Sequence, residues 1–168
     1  MDLFDAIKKR RSVRVYSDKP IIKEHLEKIV DAGRFAATAR NIQPWEFVVV
    51  TKDETLKKLA GLADNGRFIA QAKACIAIFS QDTKYYLEDG SAATQNILLA
   101  ASALGIGSCW VAGDKKPYCS QVSALLGVPA SLKLVSLVAL GYPQDDKAFY
   151  IAEKKSFREL LHWEKFSR

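Results

Sequence analysis

Apolar positions along the chain change period several times, and each change marks an element. Asp2 followed by Leu3, Phe4 and Ile7 reads as a capped short helix with one apolar stripe, ending before the Ser17 to Pro20 stretch. Beyond Pro20, Leu26, Ile29 and Val30 recur at helical spacing while Lys23, Glu24, Glu27 and Lys28 hold the other face, which predicts a second, amphipathic helix. The period then collapses into continuous runs. "EFVVVT", residues 46–51, is rich in β-branched residues and predicts a buried strand, after which Thr51 and Glu54 form a capping-box pattern opening another helix. "ACIAIFS" (74–80) and "LKLVSLVAL" (132–140) predict two further buried strands, the second ending at a turn over 141–143.

Between these strands, residues 90–107 are rich in Ala and Leu and apolar on nearly every face, so they predict a helix in the middle of the core, closed by Gly105 and Gly107. After a polar, extended connection over 141–155, "SFRELLHWEKF" opens with a capping box of Ser156 and Glu159 and carries Phe157, Leu160, Leu161 and Trp163 for docking. No repeat or long linker interrupts the pattern. One α+β domain over 1–168, with a central sheet and a long buried helix, is the expected architecture.

Composition narrows this picture little. With 49% hydrophobic and 26% charged residues in 168, the chain can bury a substantial core. A formal net charge of +6 favours anionic partners without choosing among them. Acids among the apolar positions of "MDLFDAIKKRR" exclude a secretory signal, and no apolar run reaches the roughly 18 residues of a membrane span. A soluble, cytoplasmic protein is expected, with no membrane partner. Three cysteines, Cys75, Cys109 and Cys119, lack CxxC spacing and only His25 and His162 accompany them, so no metal site is expected. Cys75 and Cys109 sit in apolar runs and read as small buried hydrophobes.

Common catalytic signatures are missing. There is no phosphate loop, no GxGxxG opening a helix, no GxSxG and no HExxH. Four other segments stand out. "RRSVRVYSDKPI" (10–21) packs three arginines and two serines into eight residues. "AATARNIQPWEFVVV" (36–50) alternates Asn41 and Gln43 with apolar Ile42; such amides donate and accept at once, which suits either the edge of a heterocycle or the backbone of the loop itself. "DGSAATQNILLAASALGIGSCWVAG" (89–113) and a late "ALGYP" followed by "KKSFRELLHWEKF" complete the set.

In this order the four segments resemble the nitroreductase family of flavin mononucleotide (FMN) enzymes, and the resemblance runs from Leu3 to Phe166. It implies a nitroreductase-like α+β fold with a mixed, mostly antiparallel sheet flanked by helices, and a homodimer with flavin sites at the interface. It also implies hydride transfer from NADH or NADPH through flavin N5 to an electron-poor acceptor such as a nitroaromatic or quinone, by a ping-pong mechanism. A catalytic side chain is then not required, because the cofactor carries the chemistry.

Residue by residue, the first motif implies Arg10, Arg11, Ser12 and Arg14 at the flavin phosphate and ribityl chain. Guanidinium forks with a short hydroxyl suit a dianion, and Arg10 and Arg14 share a side with Ser12 if the segment is extended. The second motif, P-S-A-x-N-x-Q-P-W in the family, implies that Thr38, Ala39, Asn41 and Gln43 reach the flavin of the partner subunit. Ala37 stands where proline is usual, and Arg40 fills an often small slot on the substrate side. The third implies that a turn over 105–110, with Gly107 and Ser108, lies against the isoalloxazine ring, where glycine permits close approach. The fourth implies that Lys154 or Lys155 meets the phosphate as a point charge, with Arg158, inside the capping box, as the lesser alternative. A flavin binder without reductase activity, a dehalogenating or flavin-fragmenting relative, and remotely a basic nucleic-acid module are the rival readings; the last lacks the interleaved aromatics that stack bases.

Overall fold

The computed structural model describes residues 1–167. Six helices, α1 (Leu3–Lys9), α2 (Lys23–Arg34), α3 (Asp53–Leu62), α4 (Tyr86–Ala103), α5 (Cys119–Leu126) and α6 (Phe157–Leu160), accompany four strands, β1 (Trp45–Val50), β2 (Ala74–Gln81), β3 (Gly107–Ala112) and β4 (Leu132–Gly141). The sheet order is β1-β2-β4-β3, and every neighbouring pair is antiparallel. The expected mixed character shrinks to one isolated parallel bridge, Ser12 with Ser108.

Alternation along β2 explains why the sheet is covered on both faces. Cys75, Ala77 and Phe79 meet Leu56 and Leu59 of α3, Ile69 and Val122 of α5, whereas Ala74, Ile76 and Ile78 meet Leu26 and Ile29 of α2 and Ile97, Leu98 and Ala101 of α4. Each fully buried Leu, Ile or Phe here contributes about 1.5–3 kcal/mol relative to exposure. β4 shows a register shift: Ile78 faces Ser136 but Phe79 faces Leu134, which leaves Val135 as the extra, bulged residue. The Val135 side chain is driven toward α4, where a Cβ on Gly90 would lie 2.6 Å from it. Beside it a Thr94–Ser136 hydroxyl pair at 2.8 Å closes the buried polar gap between helix and strand.

Several local expectations need correction. The stretch from Gly107 onward is strand β3, not a turn, and only Gly105 ends α4, at φ +71 where glycine is unstrained. The Asp2 cap forms, its carboxylate accepting from Asp5 N–H at 2.9 Å. The Thr51 cap does not: Lys52 is the N-cap residue of α3, and Glu54 instead pairs with Lys58 at 2.7 Å. Ser156 makes no side-chain cap, α6 is a single turn, and Phe157, Leu160 and Trp163 stay largely exposed instead of docking, Trp163 at 79%, while Leu161 is partly covered. The α1 stripe of Leu3, Phe4 and Ile7 is likewise exposed, leaving Ala6 as the buried residue of that helix. No helix among the described residues is long and apolar enough to cross a membrane.

Candidate functional site

The chain leaves α1 at Arg10 and runs extended along the free edge of β3. Val13 N–H donates to Ser108 O at 2.9 Å, Ser17 N–H to Tyr142 O at 2.8 Å, and Tyr16 bridges to Pro143. Val13 and Tyr16 turn inward, with the Tyr16 hydroxyl donating to Val13 O at 2.6 Å, so Ser12 and Arg14 turn outward. Gly107 makes this seating possible: a Cβ there would lie 2.8 Å from that of Val13. Its missing side chain therefore makes room for Val13, and Ser108 is covered to 1% exposure beneath the basic segment.

Outside this seam lies an open groove of about 930 Å³. One wall is Arg10, Arg11, Ser12 and Arg14; the other is the stretch after β4, with Gln144, Asp145, Tyr150 and Lys154. The three arginines are not equivalent. Arg11 folds back on the end of α1, its guanidinium donating to the carbonyls of Lys8, at 2.7 Å, and of Arg10, and it lies 5.1 Å from the centre of the Tyr150 ring. That is a helix C-terminal cap, and it leaves Arg11 Nε buried without a partner. Arg14 makes one long contact, 3.3 Å to Ser12 O, and sits 5.7 Å from the centre of the Phe68 ring. Arg10 is half-buried, and its guanidinium has no hydrogen-bond or carboxylate partner among the described residues. Lys154 lines the groove and Lys155 does not.

Behind the groove, burial pushes the Cys109 thiol up against the opposing pull of the nearby Arg14, the Ser12 hydroxyl and Arg10. Cys75, fully buried, is pushed up to about 12. Both thiols stay protonated and packed, as their apolar settings predict.

The amide segment is elsewhere. Residues 38–43 form a tight loop at the start of α4, in which Thr38 Oγ1 donates to Asp89 Oδ2 at 3.0 Å and Ala39 N–H donates to Asp89 Oδ1 at 3.1 Å. Gln43 N–H donates back to Thr38 Oγ1 at 3.2 Å, and Gln43 Nε2 donates to Asn41 Oδ1 at 3.2 Å. Arg40, Asn41 and Gln43 all take left-handed backbone, φ 54, 56 and 53. For residues with a Cβ this costs roughly 1–2 kcal/mol each, least for Asn. Arg40 projects into solvent with no partner among the described residues.

Within one chain these two constellations do not meet. The loop is tied to Asp89 in the first turn of α4, while α1, which leads into Arg10, is tied to Ser102 in its last, through Ser102 Oγ to Ala6 O at 3.4 Å. Thirteen residues of helix separate them, about 20 Å. Asp89, Gln144 and Tyr150 were not singled out from sequence. For Asp89 the signal was partial, since it is one of two acids, with Glu88, in the first turn of α4; Tyr150 lies in an irregular stretch without one.

An antiparallel sheet between two helical layers, with a cationic groove along its β3 edge and a strained amide loop at the far end of the central helix, defines the class of α+β protein to which this chain belongs. The Nitroreductase family model matches residues 7–81 and 65–142, and the chain belongs to the nitroreductase family. A protein of Archaeoglobus fulgidus, provisionally named NADH dehydrogenase/NAD(P)H nitroreductase, is 42% identical over 94% of each chain. Among solved structures, an FMN-dependent nitroreductase of Clostridium difficile superposes with a TM-score of 0.89 at 29% identity, over 97% of this chain and 99% of that one. A structure from Desulfovibrio desulfuricans, provisionally called a nitroreductase and solved in complex with FMN, gives 0.82 at 29% identity over 99% of each.

Proposed function

We propose that this chain, a single domain over 1–168, is an FMN-dependent NAD(P)H oxidoreductase that works as a homodimer with flavin sites at the interface. The observation that carries the reading is the half-buried, unpartnered Arg10 in a groove it shares with Ser12, Arg14 and Lys154. Arg10 and Arg14, left without a carboxylate partner among the described residues although Asp145 also lines the groove, fit a phosphate better than a neutral ligand. The groove's volume also falls in the range of about 300–1,000 Å³ usual for small-molecule sites.

Arg10 and Arg14 hold the phosphate through their forks, Ser12 supplies a hydroxyl, and Lys154 adds a point charge from the opposite wall. Arg11 serves mainly by capping α1 and so aiming Arg10. Gly107 and Ser108 form the backbone floor. Thr38, Ala39, Asn41 and Gln43 serve the flavin of the other subunit, a reading supported by the roughly 20 Å of helix between the loop's anchor at Asp89 and the α1 anchor at Ser102 and by the exposed apolar residues on α1 and the C-terminal segment. Arg40 stands on the acceptor side. When bound, FMN supplies the redox chemistry, accepting hydride at N5 from NADH or NADPH and passing it to an electron-poor acceptor such as a nitroaromatic or quinone, and use of one open face by both predicts ping-pong kinetics.

The test is the visible absorbance spectrum of the purified protein, followed by denaturation and chromatography of whatever is released. The expected result is FMN near one per chain, with parallel double-reciprocal lines for NAD(P)H oxidation against a quinone. A colourless protein that takes up no added FMN overturns the reading.

A further inference from the structure

Both oxygens of Asp89 are committed to the amide loop, one to the Thr38 hydroxyl and one to the Ala39 amide, and the residue is 5% exposed. No cation among the described residues pairs with it. What balances this carboxylate is the positive end of α4, in whose first turn it sits, together with the two donors of the loop. From Thr38 the chain of bonds continues: the same hydroxyl accepts the Gln43 amide, and the Gln43 side chain holds Asn41. Arg40, Asn41 and Gln43 are the three left-handed residues of that loop. Left-handed backbone at such residues persists only where surrounding contacts over-determine it; backbone bonds tie the ends of the segment to α2 and β2, and the loop's own side-chain bonds start from the carboxylate of Asp89 on α4.

We propose that Asp89 is the positioning residue of the flavin-facing loop. It touches neither cofactor nor acceptor; it acts through Thr38, fixing the conformation in which Asn41 and Gln43 present their amides. This inference rests on the flavin reading above. It makes the affinity of one subunit's groove depend on a carboxylate buried in the other subunit.

The experiment uses the full chain. Amide hydrogen exchange at Ala39 and Gln43 is measured on flavin-stripped protein, and FMN affinity by fluorescence quenching, for wild type, Asp89→Asn, Asp89→Ala, Thr38→Ala and Thr38→Ser. Loss of a hydrogen bond to a charged group predicts exchange about tenfold faster or more, and FMN binding weakened by a similar factor, in Asp89→Ala. Asp89→Asn, which keeps the acceptor for Ala39, falls between, and Thr38→Ser matches wild type. Combining Asp89→Ala with Thr38→Ala adds little to either single change, because both break one chain of bonds. If Asp89→Ala does not fold, the same-sized Asp89→Asn and Thr38→Ala carry the test. Unchanged exchange and affinity in all of them overturn the proposal; faster exchange with unchanged FMN binding overturns the positioning role alone. A wild type that takes up no FMN overturns the flavin reading, and this role with it, whatever the exchange rates show.

Discussion

Arg10, Arg11 and Arg14 differ in what each guanidinium already holds. Arg11 is spent on the carbonyls at the end of α1, so Arg11→Ala should lower thermal stability with little direct effect on ligand. Arg10→Ala and Arg14→Ala should each weaken FMN binding about tenfold or more, the scale of one hydrogen bond to a charged group. Lys154→Ala should weaken it less, and Lys155→Ala, outside the groove, hardly at all. Fluorescence titration of FMN at two salt concentrations checks the ranking, with the lysine effect fading first as exposed charges are screened. Equal losses at Arg10 and Arg11 would contradict the assignment. The period of an extended segment predicts one side for Arg10, Ser12 and Arg14; Ser12 and Arg14 are exposed around the buried Val13, but Arg11, Val13 and Val15 line the same groove, so the period does not single out the three. The withdrawal of Arg11 was not legible in the sequence, because it depends on where α1 ends and on which carbonyls that end leaves bare. Asp89 escaped for a similar reason: its partners are fifty residues away along the chain.

Strand β3 is the element on which the groove is built, and it depends on a residue without a side chain. Gly107→Ala would place a methyl 2.8 Å from Cβ of Val13, an atom fixed to the backbone that cannot swing aside. We expect a loss of about 1–3 kcal/mol by thermal or urea denaturation, the usual cost of overpacking, together with weaker FMN binding as residues 12–14 lift off Ser108. Val13→Ala in the same chain should recover part of both. A Gly107→Ala protein as stable as wild type would mean the seam is looser than its hydrogen bonds indicate. Strands β1, β2 and β4 announced themselves as β-branched runs, whereas β3 is short, begins with Gly and Ser, and follows a helix directly, so its glycine read as punctuation. The bulge at Val135 was equally hidden, because "LKLVSLVAL" is apolar on both faces and carries no period to break.

At the scale of the whole molecule, the described residues leave apolar side chains uncovered at both ends of the chain: Leu3, Phe4 and Ile7 near the start, and Phe157, Leu160 and Trp163 near the end. Patterning predicted that these residues pack, and it gave no way to tell a surface of the same chain from that of another copy. In the proposed dimer the central helix α4 carries the two constellations at opposite ends, so neither subunit completes a site from its own residues. This separation has a genetic reading. A chain carrying Arg10→Ala and Arg14→Ala, and a second chain carrying Asp89→Ala, should each lose most of its activity alone where FMN is scarce enough for their weakened binding to leave sites empty. Expressed together in one cell, they should regain activity, since a mixed dimer collects every substitution in one site and leaves the other wholly native. Two defective alleles would complement each other, as lesions on separate genes do, although both lie in the same one.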